Sequence, residues 1–368
     1  MVRGRTLALG TFAAVVCFLP GPTAANEGSV GFFVRSDTDD TTVISPRAAV
    51  AAALDEGRTR VDASYTADIW TSASIDIRTA ATVPVTEQRD QLDVGASHEI
   101  EDITLGAAYY FSTETDYDSH AIAVHSTQYL GQKMTTLEER ASFGHAFIGR
   151  SGDPHFGREL TTVGVRLAIT QIIDAQTLVQ GIYELSHLEG YQSSPYRYVG
   201  MGGDGQCGGS AVLCLPEAHP ELRTRHSVAA QARHALSDDS SAGLGYRFYI
   251  DDWGVMSHTA VAQVAWLPGE DQTITLRYRY YQQTASNFYR SVYGTPSGPL
   301  RYITSDKELS PMFSNRIALG YDARFDLGGD VGLRFALALG GTIFSYNDFP
   351  GLGDVYSGDA SVAFTLEL

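Results

Sequence analysis

The sequence predicts an all-β chain closed into a transmembrane antiparallel barrel. Three observations predict it: a two-residue alternation of apolar and polar side chains, the lack of any later apolar helix after an apolar leader, and the spacing of the turn residues. The alternation is plain between Ile274 and Tyr280, where Ile274, Leu276, Tyr278 and Tyr280 share one parity and Thr275, Arg277 and Arg279 the other. It recurs at Val331, Leu333, Phe335, Leu337 and Leu339, and the chain closes on Val362, Phe364, Leu366 and Leu368. Successive side chains of a pleated strand leave on opposite faces, so a period of two means strands. A face rich in arginine opposite an apolar one suits a barrel with an oily outside and a wet inside.

Residues 1–25 read as a secretory signal peptide. Arg3 and Arg5 open it, Leu7 to Leu19 is mostly apolar, and small residues precede a cleavage expected near Ala25. The apolar run is shorter than the roughly 18 residues a spanning helix needs. Cys17 lacks a lipobox, since Ala14, Val15 and Val16 precede it.

Residues 26–368 then form the barrel. Strands are expected near 28–36, 41–54, 59–71, 89–100, 103–114, 119–130, 134–147 and 158–172. The second half continues near 176–187, 222–236, 241–251, 255–266, 272–283, 311–325, 331–346 and 356–368. That makes about sixteen, an even number as bacterial barrels have, or about fourteen if the first two stay outside the wall. Gly, Asp, Ser and Pro clusters place tight turns at 55–58, 101–102, 174–175, 237–240, 268–271 and 326–330. Longer connections fall at 71–88, 149–157, 188–221 and 284–310. Short and long connections therefore alternate, with periplasmic turns at one end and extracellular loops at the other. Trp70 and Trp253 are expected near outer strand ends and Trp266 near an inner one, as interface girdles require. A soluble sandwich would put its polar face outside and need not alternate its loops.

The formal charge is -17, and loss of Arg3 and Arg5 takes it to -19. Such acidity argues against nucleic acid as a partner. Lys133 and Lys307 are the only lysines, so arginine carries the positive charge. Cys207 and Cys214 read as a short-loop disulfide in an exported chain, with a metal or redox pair as the rivals.

Several blocks resemble domain-of-unknown-function family 3570, a group of predicted bacterial outer-membrane barrels: Tyr191–Tyr198, Tyr246–Thr259, Arg279–Tyr289, Thr304–Met312 and Thr42–Arg47. The resemblance implies barrel form and a Gram-negative outer-membrane location. It implies no activity and carries over no catalytic residue.

The residues themselves offer a candidate site. Arg223, Arg225, Arg247, Arg277 and Arg279 fall on the polar parity of neighbouring strands and make a one-sided basic stripe that would line a pore. The alternative is a filled interior in which each arginine is tied to a carboxylate and stiffens the wall. Glu114, Asp116 and Asp118 lie on one parity near an outer strand end, where three like charges would suit a structural divalent cation or a divalent bridge to lipopolysaccharide; the alternative is a solvated or arginine-paired rim. The GxGxxG at Gly203–Gly208 lacks a flanking strand and helix and reads as a flexible loop. The ten histidines have no metal-motif spacing, and His120, His155, His187, His219 and His258 are expected toward the outside.

No cofactor is expected. The leading expectation is a non-enzymatic, porin-like channel or substrate-specific transporter in contact with outer-membrane lipid and lipopolysaccharide. A second is a non-conducting scaffold that clasps a lipoprotein or a periplasmic redox or metal-handling partner. A third is a barrel hydrolase, for which Ser119–His120 and Ser257–His258 are the local pairs. Neighbours in a strand point to opposite faces, so such a dyad would have to form across strands.

Overall fold

The computed structural model describes residues 26–72, 85–205, 207–296, 298–329 and 331–368. The expected leader and most of the expected 71–88 connection lie outside the described residues. The first nine strands are β1 (Glu27–Asp37), β2 (Thr41–Leu54), β3 (Thr59–Ser72), β4 (Val85–Ile100), β5 (Ile103–Glu114), β6 (Tyr117–Leu130), β7 (Thr135–Ile148), β8 (Arg158–Ile172) and β9 (Thr177–Gly190). Two short strands follow, β10 (Tyr198–Met201) and β11 (Leu213–Pro216). The chain then returns to β12 (Leu222–Ser237), β13 (Ser240–Asp251), β14 (Met256–Gly269), β15 (Gln272–Gln283), β16 (Met312–Gly328), β17 (Val331–Tyr346) and β18 (Asp354–Glu367).

All but β10 and β11 form one closed antiparallel barrel of 16 strands, each paired with its chain neighbours. β1 closes the ring against β18 in a register that sets Val30 opposite Phe364 and Glu27 opposite Glu367. The first two strands therefore belong to the wall, which removes the fourteen-strand alternative. Closure pairs every strand edge, which an open sheet cannot do. One irregularity is local to the sequence: Pro46 has no N–H to donate, and the β2–β3 ladder skips from Ile44↔Ile69 to Arg47↔Thr66.

The alternation sorts the two faces as expected. Large apolar side chains are exposed on one parity, among them Val50 at 61%, Val124 at 60%, Leu244 at 68% and Ile317 at 60%. In water each such exposure forgoes about 25 cal/mol per Å² of apolar area. A belt of them around a closed wall exceeds what a water-soluble monomer leaves uncovered. Every arginine within a barrel strand lies on the opposite parity, from Arg35 in β1 to Arg334 in β17. This excludes the soluble sandwich, whose polar parity would face outward.

The longer connections, 149–157, 191–221, 284–311 and 347–353, share one end of the barrel. Alternation is looser than the sequence suggested, because 38–40, 115–116 and 252–255 are tight turns at that same end. Trp266 is 48% exposed near the short-turn end. Trp70 lies at the long-loop end of β3, on the arginine parity. Trp253 departs from the girdle expectation. It is only 4% exposed, because the tight β13–β14 turn tucks it beneath the loops, where its indole N–H donates to Leu222 O at 2.9 Å.

Candidate functional site

The arginine stripe is built by register. Arg225 pairs in backbone register with Asp251, Arg247 with Thr259, Arg279 with Arg316 and Arg277 with Ala318. The side chains divide into two kinds. Arg223 donates through Nε and Nη2 to Asp251 at 2.9 and 2.5 Å and stacks 4.1 Å above the Trp253 ring. Arg247 donates at 3.1 Å to Glu184, which also accepts from Ser227 and lies 3.8 Å from Arg166. Arg316 reaches across β17 to hold both oxygens of Asp359 in β18, one at 2.7 Å. Gly340 makes that reach possible, since a Cβ there would meet the guanidinium head-on.

Arg225, Arg277 and Arg279 are of the second kind. Among the described residues none of them has a carboxylate within ion-pair distance. Arg225 Nε is buried without a hydrogen-bond partner, and Arg279 rests 5.5 Å from the Tyr281 ring centroid. A guanidinium removed from water and left unpaired is costly, whereas its bidentate fork matches planar and tetrahedral oxyanions.

Above this stripe the loops form a cap. β10 and β11 pair as a hairpin, and Cys207 and Cys214 are joined as a disulfide with Cα atoms 5.7 Å apart. Val199 and Met201 of the hairpin are fully buried and pack with Tyr293 and Ile303 of the 284–311 loop. The two loops are stitched by Ala218 N to Ile303 O at 3.1 Å, Ile303 N to Ala218 O at 2.9 Å and Gly202 N to Tyr293 O at 2.7 Å.

Glu217 is the centre of the cap, its side chain wholly buried. It accepts from Ser194 N at 3.1 Å, Thr304 Oγ1 at 2.5 Å and Arg197 Nη1 at 3.4 Å, and His219 Nε2 stands 3.2 Å away. Arg197 also pairs with Asp306. Burial pushes the Glu217 carboxyl up, but Arg197, His219 and the Thr304 hydroxyl outweigh it and hold the group well below the usual carboxylate range. Burial, with Glu217 nearby, pushes the Tyr191 hydroxyl up to about 12.

From this centre the cap reaches round the mouth. Tyr196 accepts from Ser151 N at 2.5 Å and donates to Asp116. On the other side Lys307 holds Asp39 at 2.6 Å and Tyr289 donates to Asp348 O. Asn287 N donates to Trp253 O at 2.8 Å, and the Trp253 ring lies 5.2 Å from Phe288.

The acidic trio does not assemble. The tight turn at 115–116 registers Glu114 with Tyr117 and Thr113 with Asp118, so Glu114 and Asp118 leave on opposite faces. Asp118 accepts from Thr113 at 2.6 Å, and Asp116 accepts from Ser151 N at 3.0 Å as a brace for the cap. Among the described residues no group of three His, Cys, Asp or Glu side chains is placed to hold a metal ion. The Ser–His pairs are also split: His120 faces outward onto Tyr109 and His258 onto Tyr246, while Ser119 and Ser257 face the interior.

A closed 16-stranded wall, an outward apolar belt and a loop cap define a β-barrel of the outer-membrane fold class. The chain belongs to the family described as "Protein of unknown function (DUF3570)", which matches residues 32–160 and 150–338. No curated protein matches it. A solved structure described as a bacterial polysaccharide outer membrane secretin superposes with a TM-score of 0.57 at 7% identity, over 95% of this chain and 100% of that one. CdiB from Acinetobacter baumannii gives a TM-score of 0.50 at 7% identity, over 92% of this chain and 60% of that one. At such identities the likeness is one of fold.

Proposed function

We propose that the protein is exported through a cleaved signal peptide to the outer membrane and acts there as a channel or substrate-specific transporter for anionic solutes. The observation that carries this reading is the unpaired trio Arg225, Arg277 and Arg279, flanked by arginines that do have carboxylates. Unpaired guanidinium groups facing the inside of a barrel are best accounted for by an anion that visits them. A wall of 16 strands is in the size range that encloses an aqueous channel. The cap stands where a gate belongs and carries the disulfide-linked hairpin.

The paired arginines and the tightly knotted cap favour a second reading, a non-conducting scaffold that clasps a lipoprotein or a periplasmic partner. Planar-bilayer recordings under a salt gradient separate the two. Anion-selective steps are expected, with the reversal potential shifted toward cations by Arg277→Gln/Arg279→Gln. A folded barrel that never conducts leaves the scaffold, and an unchanged reversal potential removes the arginine stripe from the account.

A further inference from the structure

Histidine is spread through the chain, yet seven of the eight strand histidines share one face, His125 being the exception on the inward parity opposite Arg140. His120, His145, His187, His226 and His258 lie on the outward, apolar parity, within a few residues of the long-loop ends of β6, β7, β9, β12 and β14. His98 and His234 lie on the same parity near the short-turn ends of β4 and β12. All seven bind a hydroxyl of an adjacent strand through Nδ1. At the long-loop end the partners are Tyr109 at 2.7 Å, Thr161 at 3.2 Å, Thr224 at 3.0 Å, Tyr183 at 3.0 Å and Tyr246 at 2.5 Å. At the other end they are Thr59 at 2.8 Å and Thr177 at 2.9 Å.

At the long-loop end a hydroxyl that donates to Nδ1 leaves the ring proton on Nε2, whereas Thr59 gives its proton to Asp55 and so accepts from His98. Each long-loop ring then keeps its Nε2–H for a further acceptor. Aromatic neighbours hold the rings in place, with Phe111 4.9 Å from His120, Phe147 4.8 Å from His145 and Phe248 5.2 Å from His258. His120 and His145 stand opposite one another in register on the outward face. Since the strand arginines all take the other parity, these imidazoles are the basic side chains of the outward wall among the described strands.

The geometry points to the long-loop row of histidines as a binding surface for the phosphate groups of outer-leaflet lipid A. This rests on the outer-membrane reading above. The row sits where the apolar belt gives way to the loops, which is the depth of the lipid headgroups in such a wall. The ligand is therefore a membrane-anchored phosphate. Charged groups facing the row are carboxylates: Glu159 Oε2 lies 4.0 Å from His145 Nε2, and Asp118 and Glu189 share the outward parity on the loop side. Recognition accordingly depends on the fixed N–H donors and not on net positive charge.

The test uses the folded full barrel in detergent, titrated with bisphosphorylated lipid A and followed by native mass spectrometry. His120→Phe/His145→Phe/His187→Phe should weaken lipid A binding at least tenfold on the scale of lost charge-assisted hydrogen bonds. His98→Phe/His234→Phe, at the far end, should leave it within about twofold. Heat-modifiable migration on gels verifies that each variant is folded. A folded triple variant that still binds within about twofold of wild type overturns the assignment, as does equal binding of dephosphorylated lipid A. Displacement by inorganic phosphate alone overturns the lipid source. A wild-type chain that needs no detergent and shows no heat-modifiable form fails earlier, at the membrane reading itself.

Discussion

The wall and the cap of this barrel are held together by opposite means. In the wall the backbone ladder between neighbouring strands and the outward apolar belt do most of the work, as in the fifteen-residue β8 and its ladders to β7 and β9. In the cap, residues 20, 23 and 87 positions away converge on one buried carboxylate, Thr304 being the farthest from Glu217. The difference teaches that the wall tolerates polar change on one parity only. The cap is specified by a few fully buried polar contacts, so loss of a single one should release it as a unit.

The largest expected effect lies in the cap. Glu217→Ala leaves Arg197 and His219 buried without their shared acceptor, and should cost the cap about 3–5 kcal/mol. Hydrogen exchange should then rise across 191–221 and 284–311 and stay low in the strands. Exchange rising equally in the strands would erase the distinction between the two regions.

In the wall the corresponding change is Leu244→Arg, at a side chain 68% exposed on the outward face of β13. A charge placed there should cost about 2–4 kcal/mol in lipid vesicles, depending on depth. Urea unfolding in vesicles reads it, and a neutral result would mean that this face does not meet hydrocarbon.

Acid should separate the regions without mutation. The Glu217 carboxyl titrates lower in the folded cap than in an open one, so its contribution is complete above the ordinary value of 4.5 and is lost as pH falls toward about 2. Trp253 fluorescence should report the release over that window, because its ring is packed by Phe288 and His219. A transition centred above the ordinary carboxylate range would assign the release to another group.

The smallest of these effects is expected from Cys207→Ser/Cys214→Ser. The disulfide closes a loop with a sequence separation of only 7, and the hairpin keeps its own ladder and its buried Val199 and Met201. The loss should be about 2.5 kcal/mol at most, confined to the tip and read by limited proteolysis near residue 207.

The wall was legible in the sequence because its information is local. Parity alone placed Arg277 and Arg279 together and set them against Leu276 and Tyr278, and turn residues such as Glu101–Asp102 set the strand ends. Trp253 was misread for the same reason: position near a strand end suggests a girdle, and only the loop above it decides that the ring is buried. Arg197, Glu217, Thr304 and Asp306 carried no local signal, since what joins them is the meeting of two distant loops. The acidic trio failed because parity does not survive a two-residue turn. The outward placement of the histidine row is readable in the sequence, because His120 shares its parity with Ile122 and Val124 and must face outward with them.

The central claim is that the apolar parity meets hydrocarbon and the arginine parity meets enclosed water. Single cysteines at two adjacent positions of β13 test it most directly, Leu244→Cys on the outward face and Gly245→Cys on the inward one, where a Cβ meets only ordinary contacts. In vesicles, a fluorophore on residue 244 should be quenched by brominated lipid, and residue 245 should react with a water-soluble maleimide and escape that quenching. The reverse pattern, or lipid quenching at both, would contradict the account.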